Sequence, residues 1–358
     1  MKLIDRYIGS VVAGGTLVAL LVVVGLDIFF TVIDQIEDVG RGGYTMLTML
    51  QYVALTMPQS VYELFPMAAL LGSLMGMGTL AANSELIAMR AGGLSVWRIV
   101  RAVLQAGVMM LVVVVFVGEA VAPVAEQYGQ HLRVTAATRG ISFLGGEGLW
   151  VRDDRLFINA RRVLDRERLA DLTVYEFDDS AHLRVATRAT HAEFRDGQWV
   201  LHGVQQSSLS DGGIGISRFD TVSWPSLLTP DLLGIVMLKP KHMSVADLDQ
   251  LVGYLADNGL DTSQYRFAFW GRFMTPVAAL VMLFISVPFV FGSLRSVSAG
   301  QRIFVGVLVG FGFYILSQMA AQVGQVYRLP PLVTMLIPNV LFLLIGIRAV
   351  RRLEAGKV

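Results

Sequence analysis

Few residues in this chain have the type and spacing to do chemistry, and the best placed lie in NSELIAMRAGGLSVWR, from Asn83 to Arg98. Asn83 or Ser84 can cap a helix there, and Glu85 falls in its first turn, where a carboxylate meets the positive end of the helix dipole. Leu86, Ile87, Met89 and Ala91 supply apolar surface, Arg90 supplies a cation, and Gly92 and Gly93 end the helix. Their chemistry is that of docking, one acid and one base on a stub with an apolar face. Such a stub is more often a plain connector, yet it is also built to receive a push from a soluble partner.

Catalytic chemistry finds little support elsewhere. Cysteine is absent, so there is no disulfide, thiolate site or thiol nucleophile, and the five histidines all lie outside the apolar runs. No Gly-x-x-x-x-Gly-Lys-Ser/Thr cradle occurs, so ATP is not held by that route, and His-Glu-x-x-His, Gly-x-Ser-x-Gly and spaced acidic calcium loops are missing too. His191 and His202 stand in strand patterns, where a surface or hydrogen-bonded role outweighs metal ligation. No catalytic residue and no metal ligand is assigned.

The elements that position the stub are membrane spans. Hydrophobic residues make up 54% and charged residues 16% of 358 positions, with net charge +1 and mean hydropathy +0.59. That is too apolar for an ordinary soluble domain, and it carries no global field toward nucleic acid. A span needs about 20 apolar residues. Six runs qualify, at about 8–33, 64–82, 99–121, 269–291, 303–323 and 332–350. The first follows Lys2 and Arg6 but is far longer than a signal core, so it reads as an anchor. If the spans alternate, Lys2, Arg6, Arg90, Arg98, Arg101, Arg295, Arg302, Arg348, Arg351, Arg352 and Lys357 all fall on one side. That side is expected to be cytoplasmic and to hold both termini and the stub.

Between the third and fourth spans the texture changes. RLFINARRV, LTVYEF, HLRVATRATHAEF, QWVLHGV and SRFDTVSW are short, rich in β-branched and aromatic residues, and often alternate apolar with polar, as antiparallel strands do. Asp196-Gly197 suits a tight hairpin turn. From Ser244, SVADLDQLVGYLADNG reads as a linker helix with Ser244 or Asp247 as N-cap and Gly259 as its stop.

The spans themselves hold few polar groups. Asp27 lies roughly 28 Å along the first run at about 1.5 Å per residue, near an interface, where contact with water or a neighbouring helix is favoured over a proton relay. Gln318 and Gln322 can bond across helices, and Gly72, Gly76, Gly78, Gly306, Gly310 and Gly312 allow close helix approach. With so few buried charges and no inverted repeat, an ion-driven carrier is disfavoured. A transporter driven by a partner, a structural scaffold and an intramembrane hydrolase remain open.

Ser84-Glu85-Leu86, Ala88-Met89-Arg90-Ala91 and Gly93 resemble the coupling helix of the lipopolysaccharide-export permeases of the LptF/LptG type. IDRYIG near the start, FPMAALLGSLMGMGTLA from Phe65, GEAVAPVAEQ from Gly118, GLW from Gly148, FGSLRSVSAG from Phe291 and RLPP from Arg328 extend the likeness over the whole chain, and they favour the LptG members. The resemblance implies an α-helical integral membrane protein with six transmembrane helices and a periplasmic antiparallel, jellyroll-like β domain. Its parts would be 1–122 (helices 1–3, coupling helix at about 83–93), 123–243 (β domain), 244–265 (linker helix) and 266–358 (helices 4–6).

It further implies a permease subunit of an ATP-driven ABC transporter in a Gram-negative inner membrane, taking lipopolysaccharide from that membrane to a periplasmic bridge. Its partners would be a paralogous LptF-type permease, a cytoplasmic LptB-type ATPase dimer and a bitopic LptC-type bridge protein. This chain would bind no cofactor, ATP and Mg²⁺ belonging to the ATPase. By the same resemblance, Glu85, Leu86, Met89 and Arg90 dock the ATPase, and Phe29, Phe30, Phe65, Phe311, Tyr314 and Gln318 line the lipid cavity. Arg41 and Arg133 meet the lipid phosphates. Glu37 and Asp38 stand where the family tends to be basic, so the phosphate clamp is expected to be shared with the partner permease or divalent cations.

Overall fold

The computed structural model describes residues 3–40, 43–137, 149–153, 156–165, 167–178, 182–195, 197–210, 213–224, 240–291 and 299–355. Arg41, the cationic residue expected at the lipid phosphates, lies outside them, as do Lys2, Gly148, Arg295 and Lys357. The chain divides into two compact units: Met1–Glu37, Met49–Gly129 and Ser263–Val358 form one, Asp38–Thr48 and Gln130–Thr262 the other.

The first unit is a helical bundle. Its helices are α1 (Leu3–Ile36), α2 (Met46–Ala82), α3 (Glu85–Ala91), α4 (Val96–Phe116), a π-helical turn (Val117–Val121) running into α5 (Ala122–Ala137), whose residues from Gln130 on belong to the second unit, α7 (Ser263–Phe291), α8 (Ala299–Val326) and α9 (Pro331–Glu354). Among the described residues six helices are long and apolar enough to cross a membrane, with α4, the π turn and the first half of α5 (Val96–Gln130) acting as one. The helix α2 begins well before the expected span at residue 64. Gln51, Gln59, Ser60 and Glu63 interrupt its apolar run, and contacts inside the unit keep the helix going: Gln59 donates to Glu63 at 2.6 Å and Ser60 to Asp27 of α1 at 2.6 Å. Asp27 thus meets a neighbouring helix.

Close backbone approach builds the bundle. A Cβ on Gly72 would fall on the Thr16 backbone and one on Gly15 would fall on the Gly72 carbonyl, so α1 and α2 touch main chain to main chain. On the other flank of α2, Gly306 and Gly310 of α8 meet Leu71, Leu74, Met67 and Leu70. Gly78 gives room to the Arg302 side chain, whereas Gly312 faces open space. The helix α2 is therefore wedged between α1 and α8, and its apolar window is 72% buried against 17% for each of theirs. Ser73 and Ser286 share a buried hydrogen bond of 2.7 Å that ties α2 to α7.

The second unit holds an antiparallel sheet in the order β1 (Leu149–Asp153), β2 (Leu156–Asp165), β3 (Arg168–Phe177), β4 (Leu183–Arg195), β5 (Gln198–Ser210), β6 (Gly213–Trp224). Gly197, at φ +80°, turns the β4–β5 hairpin as its sequence predicts. The helix α6 (Val245–Asp257) starts with a capping box between Ser244 and Asp247 and is followed by Gly259 at φ +64°.

One line of irregularity crosses the sheet. Asp171 in β3 and Gly203 in β5 have φ of +53° and +60°, and the registers on either side set Thr190 of β4 between them. Along this line the buried phase flips, from Leu169 to Ala170 and Leu172 in β3, from Ala189 to Ala192 in β4, and from Leu201 to Val204 in β5. The Thr190 hydroxyl closes the line by donating to the His202 carbonyl at 2.9 Å, and Arg162 pairs with Asp171 at 2.8 Å. The register runs unbroken through these positions, so the kink comes from the positive-φ residues and not from an inserted residue. Creased in this way, a single meander surrounds one core around Trp199, Leu172, Ile158 and Leu201, the task that a jellyroll gives to two facing sheets.

Candidate functional site

The stub between α2 and α4 is a helix of seven residues. The expected side-chain cap is not made. Ser84 stands in the left-handed region at φ +62° and contributes its carbonyl, which accepts from Ile87 and Ala88 at 3.2 and 3.0 Å. The other end closes as its glycines foretell: Gly93, at φ +87°, donates to the Arg90 carbonyl at 3.0 Å and Leu94 to that of Met89 at 3.1 Å, a Schellman closure.

Two contacts invisible in the local sequence fix the stub. The Tyr7 hydroxyl of α1 donates to Glu85 Oε2 at 2.7 Å, joined by Asn83 Nδ2 to Oε1 at 3.4 Å. Two residues back on α1, Asp5 meets Arg98 at the start of α4 at 3.6 Å. The N-terminal turns of α1 thus hold both sides of the connector. The sequence signal, a Tyr near the start of the first apolar run and an acid 78 residues further on, is too generic to have exposed the pair.

Of the four expected docking residues, Arg90 is exposed and Glu85 and Met89 are half-buried. Leu86 is a correction. At 2% exposure it belongs to the bundle core, because the surrounding spans cover this face of the short helix, so it anchors the stub. Ile87, at the neighbouring position, is the exposed apolar residue. Ala81, Leu86, Ile87, Arg90, Ala91, Val290 and Phe291 line a groove of about 350 Å³ beside the stub, with the Arg90 guanidinium 5.9 Å from the centre of the Phe291 ring.

The expected cavity residues separate into two groups. Phe29 and Phe30 on α1 form an edge-to-face pair with centroids 5.7 Å apart, and they are exposed, as are Phe311, Tyr314 and Gln318 on α8. Gln318 Nε2 lies 3.4 Å from the Tyr314 hydroxyl, a bond along α8 where the sequence left a bond across helices open. Phe65 is the second correction: 2% exposed, it packs in the bundle core, since α2 is the helix enclosed on both flanks and its side chains have no open face there. Of the two expected phosphate ligands, Arg133 is described, and its Nη2 lies 2.9 Å from Asp38 Oδ2 with both side chains about a third exposed. No cluster of three or more metal-ligating side chains occurs among the described residues.

An α-helical bundle with six membrane-length spans, two open apolar faces flanking an enclosed helix, and a separate antiparallel β unit define a polytopic membrane protein. Comparison with known proteins narrows this. The family described as "Lipopolysaccharide export system permease LptF/LptG" matches residues 6–352. A Haemophilus influenzae protein named lipopolysaccharide export system permease protein LptG is 34% identical over 342 residues, covering 95% of this chain and 96% of its own length. The like-named protein of Escherichia coli K12 is 34% identical over 348 residues, covering 96% of each. The chain belongs to the LptF/LptG family of lipopolysaccharide export system permeases.

Proposed function

We propose that this permease is one half of an ATP-driven transporter that draws lipopolysaccharide out of the inner membrane and hands it to a periplasmic bridge. In this reading α3 lies in the cytoplasm with both termini, and the β unit lies in the periplasm. An LptB-type ATPase dimer carries ATP and Mg²⁺ and seats against Glu85, Ile87, Met89 and Arg90. An LptF-type permease completes the lipid chamber, and an LptC-type protein receives the load.

The observation that carries this reading is the dual attachment of α1. Near its start Tyr7 grips Glu85 of the stub, and toward its other end Phe29 and Phe30 stand on the open apolar face. Twenty-odd residues at about 1.5 Å each span roughly 30 Å, so one rigid helix joins a docking element to a lipid-facing surface across the bilayer. Acyl chains favour such a surface because it removes apolar area from water. Motion of the stub is passed to α1 by the Tyr7 and Asp5 contacts. The opposite helix, α8, supplies Phe311, Tyr314 and Gln318 to the same kind of face. Arg133 is held by Asp38, so it reaches a lipid phosphate by exchanging partners, and the remaining neutralising charge comes from the second permease or divalent cations.

The reading is tested by purifying the chain alone and with its partners. The lone chain is expected to hydrolyse no ATP, and the assembled complex to hydrolyse it with stimulation by lipopolysaccharide. Hydrolysis by the lone chain, or assembly without any turnover, would favour an enzyme or a scaffold instead.

A further inference from the structure

A buried cation stands in the helical unit away from both open faces. Arg272 of α7 has a side chain only 4% exposed, and its groups converge on the π-helical turn Val117–Val121. Nη1 donates to the Gly118 carbonyl at 3.3 Å and lies 3.7 Å from Glu119 Oε1. The guanidinium packs over the Tyr62 ring at 5.1 Å, while the Tyr62 hydroxyl donates to the Arg272 carbonyl at 2.7 Å. Gly118 is required by this packing, because a Cβ there would enter the Tyr62 ring.

Ionised side chains within membrane bundles are costly and mark function, and π turns are rare insertions concentrated at functional sites. A π turn stores one residue more than the α-helix around it. Closing it to α-helix advances everything downstream by one residue of phase, about 100° of rotation and about 1.5 Å of rise. We infer that Arg272 is a positioning residue that pins this extra residue in place, and that its release turns α5 about its own axis. The stroke that releases it is the ATP-driven one, so the inference rests on the transport reading. The helix α5 runs on from the π turn as far as Ala137, so its residues carry the rotation.

The faces of α5 state what rotation would do. Val121, Val124 and Tyr128 are exposed, whereas Ala122, Glu126 and Gly129 are buried. On closure each residue takes the place of the one after it, so Tyr128 enters the buried place of Gly129 and Gln127 takes the exposed place of Tyr128. The chain lacks cysteine, so labelling of this chain reports the introduced position alone.

Single cysteines at Gln127 and Tyr128, in the complete complex, are labelled with a maleimide at rest and during ATP turnover. Labelling is expected to fall several-fold at position 128 and rise several-fold at 127 during turnover, and Arg272→Gln is expected to produce the same exchange without nucleotide. Deleting Ala120 removes the stored residue while keeping the downstream phase. That variant is expected to hold the resting pattern through turnover and to lose export. A wild-type pattern that stays fixed in a complex actively exporting lipid overturns the inference, as does full export from the deletion variant. Failure of the transport reading shows separately, as a wild-type complex that moves no lipid, and the nucleotide-free Arg272→Gln comparison then decides the register switch.

Discussion

Glu85→Arg is expected to disconnect ATP hydrolysis from transport, leaving lipid export at about a tenth of the wild-type rate or less. A hydrogen bond that Glu85 accepts is the link between the stub and α1, so losing it separates the element that receives the stroke from the helix that carries it. Glu85 accepts such bonds from Tyr7 and Asn83, and reversing its charge also removes the favourable term at the start of α3. The stub remains folded, because Leu86 still anchors it and Gly93 still closes it. The measurement is lipid release from proteoliposomes holding the complex, beside ATP hydrolysis in the same sample. Tyr7→Phe, which deletes the donor and keeps the ring, is the graded companion and is expected to fall between wild type and Glu85→Arg.

Gly72→Leu acts through packing and is expected to be comparably severe. Its side chain must occupy space now filled by the backbone of Gly15 and Thr16, which no rotamer change relieves. Overpacking of this kind costs about 1–3 kcal/mol even where neighbours can shift, and here the neighbour that shifts is α1, the helix carrying both Tyr7 and the Phe29–Phe30 face. Export is therefore expected to be lost together with a lowered melting temperature of the complex. Gly14→Leu, on the same helix with nothing within 4 Å of a Cβ, is expected to melt like wild type. Equal melting of the two variants would contradict the close α1–α2 approach.

Most of the architecture was legible because the constraints that shaped it act along the sequence. Hydrocarbon demands long apolar runs, so the six spans show, and a hairpin needs positive φ at its turn, so Asp196-Gly197 shows. The alternation of β2–β6 shows for the same reason. The N-terminal half of α2 did not, since its Gln, Ser and Glu residues are satisfied by partners that only the fold supplies. The crease at Asp171, Thr190 and Gly203 is a property of three strands aligned side by side, and in each alone it looks like an imperfect alternation. At the site, the stub could be read but its orientation could not. Leu86 and Ile87 are equally apolar, and only the surrounding spans decide which turns inward. Phe65 was misplaced for a related reason, because an aromatic on a span looks the same whether the helix is enclosed or open. The clasp between Arg272 and Glu119 joins residues from opposite sides of the β unit in the sequence, beyond the reach of any local pattern.

The most direct measurement of the central claim, that an open apolar face on this bundle takes up lipid when ATP drives the stub, is photo-crosslinking from position 314 in membranes. Tyr314 is 58% exposed on α8, and Phe65 serves as the buried comparison. A photoreactive residue at 314 is expected to give a lipopolysaccharide adduct whose yield changes with ATP, and one at 65 is expected to give none above background. Absence of any adduct at 314 in a complex that exports lipid, or an adduct indifferent to ATP, would contradict the account.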